Sequence, residues 1–96
     1  MTEMNRHGRR AKEYWETYRP TALDELGGPE EQKGYFTRLG LRVMEQIGQT
    51  ADDLLMQVPM GERAQARPAV RAQAEELVYA EEVYLPKETR TEHREM

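Results

Sequence analysis

The chain is 96 residues long, with 38% hydrophobic and 33% charged residues, a formal net charge of −4 and no Cys. That allows one small domain and excludes a disulfide framework, a thiolate nucleophile and a cysteine-based zinc ribbon. Ser is absent too, which excludes a serine-type acyl-transfer site, and the longest run of Leu, Ile, Val, Met or Phe, Leu54–Leu55–Met56, falls far short of the roughly 20 residues that span a bilayer.

Residues 1–8 and 86–96 carry no apolar periodicity and read as disordered tails, the first of them a basic arm, so the helical domain is expected over 9–85. Ala11, Tyr14, Trp15, Tyr18 and Ala22 recur at helical spacing and give a first helix an aromatic stripe. Pro20 ends that helix near Tyr18, because proline is tolerated at a first helical position and costs ~3 kcal/mol inside a helix. A short turn from Pro20 to Leu26 follows, and Gly27–Gly28 reverses the chain.

Pro29, Glu30 and Glu31 mark the clearest helix start, with two carboxylates opposing the positive end of the helix dipole. Phe36, Leu39, Val43, Ile47, Ala51, Leu54 and Val58 then step by three or four. A helix of that length would run about 45 Å, more than the rest of such a domain can cover. A bend is therefore expected at Gly48, with Thr50 and Asp53 forming a capping box for the restart. Pro59 and Gly61 mark a loop. Ala66, Val70, Ala74, Leu77, Val78 and Leu85 trace a last helix that ends before Pro86; it either begins with Pro68 at its first position or carries a kink there, and the first reading needs no strain. The β-branched and aromatic residues from Val78 to Leu85 leave a terminal strand as the alternative there.

The expected fold is all-α, a small antiparallel bundle of three to five helices with polar tails. Leu, Ile, Val and Phe number only fifteen. Burying each contributes ~1.5–3 kcal/mol, a thin margin against ~1–2 kcal/mol of backbone entropy per ordered residue. A protein partner or self-association is expected to supply the missing core.

Few residues carry chemistry. His7 and His93 lie in polar terminal segments and read as solvated. Glu75–Glu76 and Glu81–Glu82 have the spacing of helical carboxylate metal sites, but the Glu-x-x-His partner is missing from the helical region, so a solvated acidic face is the reading, with no metal, cofactor or small-molecule substrate. The basic residues Arg6, Arg9, Arg10 and Lys12 could follow a phosphate backbone. Residues 1–20 nevertheless carry a net charge of only +2, against −5 over residues 21–62. Trp15 and Tyr18 read first as core and otherwise as a contact platform. Tyr79 and Tyr84 cannot both face the core, so one is a candidate contact for another chain.

Two stretches, RRAKEYWETYRP (Arg9 to Pro20) and AEELVYAEEVYLP (Ala74 to Pro86), resemble the opening and closing motifs of the small transposon-encoded TnpV-type proteins. The resemblance implies carriage on a mobile genetic element or phage and an accessory role, with no catalytic residues to carry over. The reading from sequence is thus a cytoplasmic, non-enzymatic helical module that works by protein contact, with Trp15, Tyr18, Tyr79 and Tyr84 as contact residues. A sharper form is an acidic inhibitor of a host nucleic-acid-binding protein, using Glu30, Glu31, Asp52 and Asp53. The alternative is a small DNA-binding regulator that uses the arm from Arg6 to Lys12.

Overall fold

A computed structural model describes residues 3–88. They form four α-helices, α1 (Arg6–Tyr18), α2 (Pro20–Glu25), α3 (Pro29–Met56) and α4 (Arg63–Glu82), with a 3-10 turn at Met60–Glu62 leading into α4. The fold is the expected all-α bundle, with no strand among the described residues. Both tails extend into residues outside the described ones, His93 among them.

The prolines act at helix starts as their fixed φ dictates: Pro20 opens α2 and Pro29 opens α3. Gly27 has a φ of 122°, the left-handed conformation that reverses the chain between them. The Glu31 carboxylate reaches back to accept from the Gly28 amide at 3.0 Å, which satisfies one of the free N–H groups at the start of α3.

Three boundaries differ from the sequence reading. The first helix starts at Arg6 rather than residue 9, because the Asn5 side chain caps it by accepting from the Gly8 amide at 2.9 Å. α3 runs unbroken for 28 residues through Gly48. The expected bend rested on a need for full cover, and the chain covers that length only in part: Ala51 and Leu54 pack against the core, but from Gly48 to Ala69 no residue is buried. Lastly, α4 begins five residues before Pro68, which sits inside the helix. The 3-10 turn supplies the start, and the Arg63 guanidinium ties it to the end of α3 by donating to the carbonyls of Val58 (2.9 Å) and Met56 (3.3 Å).

α3 is the spine, contacted by α1 on its N-terminal half and by α4 along an antiparallel hairpin. Phe36, Leu39, Val43 and Ile47 form its buried stripe, met by Ala74, Val78 and Val83 and by Ala11 and Trp15 of α1. The helices α1 and α3 cross at two glycines. A Cβ on Gly8 would collide with the Phe36 carbonyl, and one on Gly40 with the Asn5 side chain. The molecule is flat, 56 × 39 × 14 Å, and its radius of gyration of 16.7 Å exceeds the about 12 Å expected for a compact chain of this size.

Candidate functional site

The polar feature the fold builds with most care lies between α1 and the C-terminal half of α4. His7 is 4% exposed, contrary to the reading of a solvated imidazole, because capping at Asn5 extends α1 backwards and turns His7 onto the stripe with Ala11 and Trp15. Its Nδ1 lies 2.6 Å from the Tyr79 hydroxyl. Burial, then the Arg6 guanidinium, pull the His7 pKa below 6.5. Burial, then Glu75, push the Tyr79 phenol upward. Both groups are therefore neutral near pH 7, and the consistent arrangement has the Tyr79 O–H donating to Nδ1 with the imidazole proton on Nε2.

Above this pair lies an open cleft of about 470 Å³ lined by Arg6, Arg10, Glu75, Glu76, Tyr79 and Tyr84. Arg6 pairs with Glu75 at 3.1 Å, and the Tyr84 hydroxyl beside Arg10 raises that guanidinium's pKa further. With both signs of charge on its walls, the cleft selects neither anions nor cations. The His7–Tyr79 pair holds α1 to α4, and no cluster of three or more His, Cys, Asp or Glu that could hold a metal ion occurs among the described residues.

The segment after α4 is strapped across α1 and α2. Tyr14 donates to the Leu85 carbonyl (2.7 Å) and Arg19 to that of Pro86 (2.7 Å). The Glu88 carboxylate accepts from the amides of Ala22 (2.8 Å) and Thr21 (3.3 Å), which holds its pKa below the usual carboxylate range. Residues 86–88 are thus held against the bundle, although the sequence placed them in a free tail.

The residues named from sequence fall apart into different roles. Trp15 and Tyr79 are 5% exposed and belong to the core, where Trp15 packs edge-on to Phe36 at 5.3 Å beneath the Arg19 guanidinium. Tyr18 and Tyr84 are on the surface, and the Lys87 ammonium sits 4.1 Å from the Tyr18 ring. Of the basic residues, Arg6 pairs with Glu75, Lys12 pairs with Glu16 at 2.6 Å and Arg9 donates to the Met4 carbonyl at 2.8 Å. With Arg10, all lie on α1 rather than on a free arm. Glu30 and Glu31 stand at the start of α3, and Asp52 and Asp53 stand about 33 Å further along it. Asp52 also shares a groove with Arg67 and Arg71.

The sequence reading passed over the uncovered hairpin tip. Leu54, Leu55 and Val58 are half-buried there, and Met56 and Met60 are 69% and 78% exposed. Elsewhere Leu41, Met44 and Leu77 stand exposed. No helix among the described residues is long and apolar enough to cross a membrane. No family model matches the chain, and neither a curated protein nor a solved structure matches it.

Proposed function

We propose that the chain is a non-enzymatic helical module that works by protein contact, through the α3–α4 hairpin rather than through the aromatic stripe of α1. The observation that carries this reading is the hairpin tip: five large apolar residues between Leu54 and Met60, and no buried residue from Gly48 to Ala69. A chain short of core does not leave such residues half in water unless something else covers them.

The acidic-inhibitor form is less favoured, since the two carboxylate pairs stand at opposite ends of α3 and Asp52 faces arginines. The DNA-binding alternative is weakened because the basic residues of α1 have partners within the chain. The mobile-element setting rests on the resemblance of the two motifs, which here pack on each other through Tyr14 and Tyr84.

Affinity capture from the native host, with wild type and a Met56→Glu/Met60→Glu variant, tests the reading. Both methionines are so exposed that the variant keeps its fold, checked by circular dichroism. The expected result is a protein species held by wild type and by Glu30→Gln/Glu31→Gln but released by the methionine variant. Equal capture by all three, or capture that follows nucleic acid and disappears after nuclease treatment, would refute it.

A further inference from the structure

α4 presents an outward face that no other element covers. Ala66, Ala69, Gln73, Leu77 and Ala80 step by three or four along one side of the helix. Ala66 is half-buried and the other four are exposed, Leu77 at 47%. This side points away from both neighbours, since Ala74 and Val78 face α3 while Glu75 and Tyr79 face α1.

The charges of the same helix are segregated. Arg63, Arg67 and Arg71 occupy its first half, and Glu75, Glu76, Glu81 and Glu82 its second. Arg6 and Arg42 neutralise Glu75 and Glu82, whereas Arg67, Arg71, Glu76 and Glu81 make no ion pair among the described residues.

We propose that α4 pairs antiparallel with α4 of a second copy of the chain, about a two-fold axis at Gln73. The register is set by self-complementarity. With Gln73 opposite its counterpart, Ala69 lies opposite Leu77 and Ala66 opposite Ala80, so the one large apolar residue of the face meets a small one and the alanines let the backbones approach closely. Glu81 of either copy then falls about half a turn along the axis from Arg67 of the other, on the same flank. The basic half of each helix overlies the acidic half of its mate, whereas a parallel pairing would stack like charges. The whole helix, 20 residues or about 30 Å, takes part. The inference deepens the protein-contact reading by naming a partner, and it leaves the hairpin tip free for another one.

The absence of Cys makes the register directly measurable. A Gln73→Cys chain carries a single thiol at the axis. Under mild oxidation it is expected to form a disulfide dimer rapidly, whereas Gln49→Cys, an equally exposed thiol on α3, remains monomeric. Sedimentation of the wild type is expected to approach twice the 11.2 kDa chain mass as concentration rises. Leu77→Glu should return it to one chain mass with unchanged helicity. Glu81→Arg should weaken the dimer by at least about tenfold, and adding Arg67→Glu to the same chain should restore it. A monomer at every concentration, a dimer insensitive to Leu77→Glu, or Gln73→Cys crosslinking no faster than Gln49→Cys would each overturn the pairing. A monomer that still captures a protein through Met56 and Met60 would overturn it while sparing the protein-contact reading.

Discussion

Two glycines in one helix should respond to the same substitution with opposite signs. Alanine is favoured over glycine inside a helix by about 1 kcal/mol, chiefly because the unfolded chain loses freedom. At Gly48 a Cβ meets nothing within 4 Å, so Gly48→Ala should realise that gain and raise the melting temperature by roughly 4–8 °C. At Gly40 the Cβ would run into the Asn5 carboxamide and come within 2.8 Å of the Gly8 amide nitrogen. Overpacking of that kind costs about 1–3 kcal/mol, and displacing Asn5 removes the cap of α1 for about 1 kcal/mol more. Set against the propensity gain, Gly40→Ala should lose about 1–3 kcal/mol, leaving the two variants about 2–4 kcal/mol apart. Urea denaturation followed by circular dichroism measures both, and unchanged slopes would show that the native and unfolded states are otherwise comparable. A Gly40→Ala protein as stable as Gly48→Ala would refute the close crossing of α1 on α3.

Other perturbations follow from single observations. His7 has a folded pKa below its unfolded value of 6.5, so the unfolded state binds the extra proton first and stability should fall as pH drops below about 6.5 until the folded imidazole titrates. His7→Gln should flatten that slope in pH-resolved melts, and Tyr79→Phe should cost about 1–3 kcal/mol at neutral pH by leaving Nδ1 without a donor. Pro68→Ala should stabilise by between about 1 and 3 kcal/mol, since proline inside α4 removes one backbone hydrogen bond; a loss would place its ring in a contact not seen here. Arg42 and Glu82, 3.1 Å apart at the surface, should couple by under about 1 kcal/mol in a double-mutant cycle and lose that coupling in high salt. Amide exchange should be faster over residues 49–56 than over 36–47 of the same helix, because only the second stretch is backed by buried side chains; uniform protection along α3 would contradict this.

What the sequence disclosed and what it hid divide along a physical line. Local signals were sufficient where backbone chemistry decides: Pro20 and Pro29 at first helical positions, Gly27 in the left-handed conformation, and the 3.6-residue stripe of Phe36, Leu39, Val43 and Ile47. They misled where a polar residue has a tertiary partner. The spacing His7, Ala11, Trp15 was available as a stripe, but a histidine in a basic segment reads as solvent-facing until Tyr79, 72 residues away, supplies its hydrogen bond. Pro68 was misplaced for a similar reason: the start of α4 depends on the Arg63 guanidinium and the end of α3, which no local pattern records. The aromatic stripe of α1 was drawn toward Tyr18, whereas the buried side begins at His7 and ends at Trp15, so of the four contact residues named from sequence only Tyr18 and Tyr84 reach the surface.

The fifteen strong aliphatic and Phe residues are not spread evenly over this scaffold, and their placement separates stability from contact. The fully buried ones, Phe36, Leu39, Val43, Ile47 and Val83, lie where three helices meet, and glycines at 8 and 40 let α1 approach closely enough to seal them with two small residues. That end of the molecule has a core of its own. Leu41, Met44, Met56, Met60 and Leu77 are exposed, and Leu55 and Val58 are only half-buried, so these side chains add little to the core of their own chain. The cost of keeping α3 straight is modest, about 1 kcal/mol for a glycine inside a helix. The result is a lever about 42 Å long that carries apolar side chains beyond the reach of α1. Under the protein-contact proposal, that straight helix serves to present these side chains to a second chain.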